Sequence, residues 1–440
     1  MKPFLKIFSF LLFLSPLLPQ QLYEKQIIPF DGLESDFFGR AVAVNDSFLF
    51  ISSLRYSNPN ENAVYVYKLV NNGYEFINKI FPSDEHPGPG GALFGARLLY
   101  NDGQLFVGSR NKKVNNFTVG AVYVFEYEND SWVEKQIIIP PEPLTFGGYF
   151  SNSISKFDDY LLVGAPRYTS GEQISGKAFL YKYINGEYEL YQEFVPFDAK
   201  KYQFYGYSVE IKENIILIGS VNDSTRSGFN SGSLYTYIKE DSIWTFSRKY
   251  LPEENSENFA YGCAIASNDD YVFVGTSDNI YYNQPGKVYI YKYSHPVLDL
   301  AQIIETGDNY YDDSFGISLY AKGDSLLVSA LFDTVKNNNP GAAYLFVNEK
   351  GEWKRKHKIF PSDEQDALRF SSKCALTDNL IVVGAHLSKY NGIFTGKVYL
   401  YTTYPVSVNE EEVLEVKGFY LSQNYPNPFN PATRIDLYID

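Results

Sequence analysis

The sequence predicts an all-β protein, a seven-bladed β-propeller of four-stranded antiparallel blades. Three observations lead there. A phrase of about 55 residues opens on an aromatic followed by Gly or Ser, and it returns at Phe38, Phe94, Phe150, Tyr205, Tyr261, Phe315 and Phe370. A steady period of this kind marks repetition of one supersecondary unit. Within each copy, four strand-like runs recur in the same order. The seventh copy lacks its fourth run, and a matching run stands before the first copy, so the units form a closed ring and not a row.

Taken in chain order, residues 1–20 place Lys2 and Lys6 before an apolar run from Ile7 to Leu18. That is the layout of a secretory signal peptide. The apolar run is shorter than the ~20 residues a spanning helix needs, and no later stretch could cross a bilayer. Next comes LYEKQIIPF (22–30), a close match to WVEKQIIIP (132–140). This strand is expected to complete the seventh blade and fasten the ring, removing an edge that would invite aggregation.

Each copy then begins with a strand such as GRAVAVN (39–45) and a short polar turn such as NDS, NDG or KGD, which is hairpin chemistry. The second strand ends in a small-residue motif, as in VGSR (107–110) and VGAP (163–166). A polar loop of roughly ten residues follows. The third strand, GAVYVFEY in the second copy, is apolar almost without interruption, as expected of a strand covered on both faces. The fourth, such as WVEKQIII, is more polar and reads as the outer edge. On the first strand, Ala41, Arg97, Ser153, Ser208, Ala264, Ser318 and Lys373 hold equivalent positions, and mostly small side chains there suit strands converging on an axis.

The propeller is expected to span 21–404. An acidic linker (405–418) and a Pro-rich segment that opens a further β-domain (419–440) follow it. The net charge of −14 argues against a nucleic-acid partner. Cys263 and Cys374 lie in the fifth and seventh copies, too far apart in the ring for a disulfide, and read as buried thiols.

The FG, VGAP and G-VYVY elements, recurring in register over 22–404, resemble the FG-GAP propellers best known from the integrin α-chain head. The resemblance implies a ligand-facing surface made by the loops between strands two and three and between blades. Some relatives expand the first turn into a DxDxDG calcium loop. Here each such turn is only a few residues long and cannot supply six to eight oxygens, so no metal or other cofactor is expected. At the C-terminus, Asn424, Tyr425, Pro426, Asn427, Pro428, Phe429, Asn430 and Pro431 resemble the opening of a type IX secretion sorting domain, of which only the first strand is present. That resemblance implies a bacterial protein handled by the type IX machinery and released or displayed at the cell surface.

Catalytic patterns are sparse. His86, His295, His357 and His386 occupy unrelated repeat positions, and no HExxH or Ser/His/Asp set stands out. On the inner strands Glu210 is the sole carboxylate, which disfavours a channel-borne acid pair for glycoside hydrolysis. Acidic loops between blades, including KIFPSDE at both 79–85 and 358–364, read as solvated turns and blade duplication, with a cation or basic-partner surface as the functional alternative. Arg55-Tyr56 and Arg167-Tyr168 follow the small-residue motif at matching positions, with Arg110 one place off. With Tyr281, Tyr282, Tyr310 and Tyr311 they are the candidate binding face, since Arg and Tyr anchor interfaces. Inherited repeat consensus also accounts for them. The expected function is therefore a monomeric, secreted or surface-bound, non-catalytic module that binds an extracellular protein or glycan. The alternatives are a polysaccharide hydrolase or lyase with its site in the upper loops, and a structural envelope protein.

Overall fold

The computed structural model describes residues 22–409, apart from 56–61, 71–72, 85–91, 116, 142–147, 171–172, 254–256, 278–284, 308–312, 334–339, 365–366 and 403–406. The expected signal peptide, most of the linker and the Asn424–Pro431 motif lie outside the described residues.

Seven antiparallel four-stranded blades follow one another along the chain and form a β-propeller. Blade 2 shows the plan, with strands Phe94–Asn101, Gln104–Ser109, Ala121–Glu128 and Ser131–Ile138 paired in that order from axis to rim. Two or three residues join the first strand to the second in every blade. Asp102 and Gly103 make that turn in blade 2 with φ of 48° and 81°, the left-handed pair that suits a twisted hairpin. These turns and those between strands three and four define the lower face. Loops between strands two and three, and between blades, define the upper face. Three of the upper loops fold into small hairpins, at 113–118, 169–174 and 389–394, which the sequence reading treats only as polar loop.

Packing between blades explains the unbroken apolar third strands. In blade 2, Ala121, Tyr123 and Phe125 pack against Phe48, Phe50, Val64 and Val66 of blade 1. The alternate residues Val122 and Val124 pack against Leu161, Val163 and Phe179 of blade 3. Both faces of the strand are core. The outer strands of blades 1 to 6 each carry one extra residue opposite the middle of the third strand, as where Val124 faces Gln136 but Phe125 faces Glu134. Such bulges sharpen twist at an edge. Cys263 and Cys374 are buried thiols that form no disulfide.

The blades are joined through glycine. Gly176, before the third strand of blade 3, has φ +95°, and a Cβ there would stand 2.0 Å from the carbonyl oxygen of Tyr205, the opening aromatic of blade 4. Gly206 has φ +82° and would meet Lys177 O at 2.2 Å, so the two blades interlock backbone against backbone. Ring closure uses the same device. Gly396 of blade 7 would meet Phe38 O of blade 1 at 2.2 Å, and Gly384 would meet Gly39 O at 2.2 Å.

The N-terminal strand closes the ring as the sequence predicts. Tyr23–Ile27 pairs antiparallel with Lys397–Thr402, from Tyr23 opposite Thr402 to Ile27 opposite Val398, and completes blade 7. Its Glu24 accepts hydrogen bonds from Ser362 N (3.0 Å), Ser362 Oγ (2.6 Å) and Tyr401 OH (3.0 Å). Glu134 does the same for Ser83 N and Oγ at 3.0 and 2.5 Å. Ser83 and Ser362 are the serines of the two KIFPSDE copies, so the duplicated phrase marks an equivalent inter-blade clip. One feature departs from expectation. Ser407–Asn409, inside the stretch read as linker, forms a fifth strand parallel to the outer edge of blade 1, with Ser407 opposite Gly73.

Two stability outcomes follow from this architecture. Deleting 22–30 removes the buried Ile27 and the Glu24 bonds, and should lower the melting temperature far more than ending the chain after Tyr404. Equal effects in thermal denaturation would contradict closure by this strand. Gly176→Ala should cost about 3 kcal/mol, through overpacking added to left-handed strain. Gly186→Ala shares the positive φ of 96° but meets nothing within 4 Å, and should cost only about 1 kcal/mol in urea titrations.

Candidate functional site

The inner strands surround an axial channel of about 370 Å³, lined by residues from all seven blades. At its upper end, the residue before each opening aromatic is held at positive φ: Phe37, Leu93, Tyr149, Phe204, Ala260, Ser314 and Arg369, with φ between 47° and 59°. This shared kink turns the chain from the upper loop into the inner strand. It gathers side chains of unlike chemistry around one mouth.

Arg110 and Arg167, from adjacent blades, lie over the ring of Tyr149, with guanidinium carbons 4.8 and 4.7 Å from its centre. Arg167 donates to Tyr149 OH at 3.1 Å and also approaches the Phe204 ring at 5.7 Å. Stacking of this kind fixes a guanidinium plane while leaving N–H groups for a ligand. Across the mouth, Arg369 lies 4.0 Å from the centre of the Phe332 ring, and the Phe37 and His386 rings are 6.1 Å apart. Arg110 Nε and His386 Nδ1 are buried without a hydrogen-bond partner. Burial, with Arg40 and Arg369 nearby, pushes the His386 imidazole down to about 3, so it is neutral at physiological pH.

Below the mouth, the channel is lined by the basic Arg97, Lys156 and Lys373 and by the acidic Glu210. Arg97 and Lys373 occupy equivalent positions on the inner strands of blades 2 and 7 and line the channel. Burial, Arg40 and Arg110 hold Arg97 down at about 10. Burial, Arg97 and Arg40 hold Lys373 well below the usual lysine range. Two residues further along the strand of blade 4 stands Glu210, the sole carboxylate among the described residues that line the channel. It accepts hydrogen bonds from Ser155 Oγ (3.0 Å) and Ser267 Oγ (2.6 Å). Burial pushes it up to about 7, against the opposing pull of those hydroxyls and Lys212.

The sequence-chosen candidates fall into three groups. Arg110 and Arg167 meet at the mouth. Arg55 and Tyr168 are buried, 8% and 1% exposed. Arg55 donates from Nε to Asp36 Oδ1 at 2.7 Å and from Nη2 to Asp36 Oδ2 at 2.9 Å, a bidentate pair that anchors the entry to blade 1. Tyr168 packs edge-on against Phe179, 5.0 Å between centres. These two residues serve packing and not the open face. Tyr56, Tyr281, Tyr282, Tyr310 and Tyr311 lie outside the described residues. Sequence reasoning missed two groups, Tyr149 and Phe204 beside Arg167, and Arg40 and Arg369 beside His386. Their common signal is the position just before or after the opening aromatic-Gly pair and the small-residue motif.

Four aspartates in the loops between blades, Asp31, Asp84, Asp198 and Asp363, act as fasteners. Asp31 accepts from Tyr65 OH at 2.6 Å and from the Lys79 ammonium. Asp198 accepts from Tyr235 OH and Lys249 Nζ, both at 2.6 Å. Asp84 pairs with Tyr123 and Lys112, and Asp363 with Tyr399 and Lys397. Burial alone would raise the Asp31 and Asp198 carboxyls, but their lysine and tyrosine partners hold both below the ordinary range. Each acid ties an incoming loop to the third strand of the next blade. These four carboxylates are engaged within the ring.

The FG-GAP repeat family profile matches residues 189–237 and 353–401. The chain carries FG-GAP repeats. Each matched segment starts in the outer strand of one blade and ends in the third strand of the next, so an FG-GAP repeat is a joint between two blades. No curated protein matches the sequence.

Glu210 offers a measurable pH signature. A folded-state carboxyl raised to about 7 binds a proton more tightly than the unfolded one, so stability is lost as pH rises from the unfolded value through 7. Between pH 5 and pH 8, Glu210→Gln should remove roughly 2 kcal/mol of this decline in denaturant titrations. An unchanged slope would show that Glu210 ionises freely.

Proposed function

We propose that this protein is an exported FG-GAP propeller that binds an extracellular protein or glycan through its upper face without transforming it. The observation that carries the reading is the row Arg110, Tyr149, Arg167 and Phe204 at the channel mouth. Stacked arginine and aromatic rings are the residue types that dominate binding energy at protein interfaces. The same rings offer flat faces for a sugar. Arg110, Tyr149, Arg167 and Phe204 adjoin strands held by the blade joints, so little ordering cost attends binding through them.

A catalytic alternative has less support. Glycoside hydrolysis in its usual form uses two carboxylates 5 to 10 Å apart, roughly. Among the described residues of the channel only Glu210 is available, on the inner strand below the mouth. Among the described residues, no helix is long and apolar enough to cross a membrane. Export rests on the Lys2/Lys6 and Ile7–Leu18 pattern, and sorting by the type IX route rests on Asn424–Pro431.

Screening the mature protein on protein and glycan arrays should identify ligands whose binding falls at least about 30-fold in Tyr149→Ala or Arg167→Ala, matching the loss of one hot-spot residue. Both variants should melt like the parent. Binding indifferent to both would place the ligand elsewhere, and turnover of an arrayed polysaccharide would favour the enzyme reading. Removing 419–440 should leave the protein inside the outer membrane in fractionated cells.

A further inference from the structure

We propose that the axial channel binds a small oxoanion, such as sulfate, phosphate or a free carboxylate, in the layer formed by Arg97 and Lys373. This site lies inside the ring, below the mouth, and does not depend on the ligand of the upper face.

The layer is built from the equivalent inner-strand positions of the seven blades. In it the channel is lined by Ala41, Arg97, Ser153, Ser318 and Lys373. Both basic side chains are half-buried and line the channel. Their hydrogen bonds go to neutral acceptors only. Arg97 donates from Nε to Asn152 O and from Nη1 to Ala96 O at 3.3 Å, and Lys373 donates to Ser318 Oγ at 3.4 Å. Neither makes an ion pair with a carboxylate among the described residues. An interior charge ordinarily has a partner, because its desolvation is otherwise uncompensated. Here two basic side chains line one channel with Arg40 nearby, and Arg97 and Arg40 both disfavour the charged form of Lys373.

The neutral members of the layer suit an anion as well. Ser153 Oγ accepts from Val209 N at 3.1 Å, and Ser318 Oγ accepts from Lys373, so each hydroxyl proton is available to donate. Ala41, between the two cationic blades, leaves room where a larger side chain would fill the axis. Glu210 lies two residues further along its strand, ~7 Å lower, so it is not the missing counter-ion. A planar or tetrahedral oxoanion in this layer could accept from a guanidinium, an ammonium and two hydroxyls at once. Charge-assisted bonds of this type are the strong ones.

Binding should also draw in protons. Lys373 has Arg97, Arg40, Cys263 and Cys374 as its charged or titratable neighbours, and Lys156 and Glu210 line the same channel. An anion beside it favours its ammonium form, and the same anion favours the protonated form of Glu210. Affinity should therefore fall as pH rises. A purely structural role for the two cations predicts no such dependence.

The test is calorimetric titration and thermal denaturation of the whole protein with sodium sulfate, phosphate or acetate, at ionic strength held constant with sodium chloride. The expected result is a saturable rise in melting temperature and a measurable heat with at least one oxoanion, absent with chloride. In Arg97→Gln and Lys373→Met, affinity should drop by about tenfold or more. Each variant without ligand should melt at or above the parent temperature, because a basic group that is costly to charge in the channel has been removed. Equilibrium dialysis of the parent protein against labelled sulfate gives a second readout that needs no variant. No saturable binding of any of the three anions to the parent would overturn the proposal. Variants that keep full affinity would overturn it equally.

Discussion

The joint between neighbouring blades is a contact of backbone on backbone, and the rest of the molecule depends on it. At six of the seven joints a glycine before the third strand of one blade lies against the carbonyl of the opening aromatic of the next, close enough that a Cβ at Gly176 would fall 2.0 Å from Tyr205 O. Asn62 takes this place between blades 1 and 2. The opening glycine returns the contact on the third strand of the preceding blade. Because both partners are main chain, neither can swing aside as a side chain could. The blades are therefore held at one spacing and one angle, and repetition of that angle brings Gly396 of blade 7 onto Phe38 of blade 1. Closure is a property of the joint, and the N-terminal strand then fastens the ring from outside.

The joint also explains where functional chemistry can accumulate. Residues committed to it are small or backbone, and those between blades form apolar core on both faces of each third strand. Variation is left to the positions that flank the joint, at the mouth of the channel, and to the inner strands that line it. There the protein, acidic as a whole with a net charge of −14, places Arg40, Arg97, Arg110, Arg167, Arg369 and Lys373. Several of its acidic loops face the other way in function. Asp31, Asp84, Asp198 and Asp363 are neutralised by lysines and tyrosines and act as fasteners between blades. A net charge alone would have suggested an anionic binding surface, whereas three of the four charged side chains that line the channel among the described residues are basic.

Much of the ring was legible in the sequence, because its determinants are local. The period, the four strands in order, the hairpin turns and the match of LYEKQIIPF to WVEKQIIIP all recur in register. The site was less legible. Arg97 and Lys373 appear in the sequence as exceptions in a layer of small residues, with nothing to say that both line one channel. Arg110, Tyr149 and Arg167 come from the flanks of different repeats, so comparing equivalent positions does not group them. Arg55 and Arg167 look alike in sequence, yet Asp36 draws one inward and Tyr149 stacks with the other on the open face.

By itself, the sequence determined the fold class, the number of blades, the closing strand and the burial of the third strands. Each of these follows from periodicity, propensity and the demand that backbone pairs be satisfied, and such constraints act within one repeat or between adjacent ones. Only the tertiary structure decided which cations share a space, which acids are already paired, and that residues 407–409 add a strand to blade 1. Those outcomes depend on distances across the ring between residues far apart in the chain. Electrostatic partnership is set by such distances and by burial, neither of which a repeat pattern encodes.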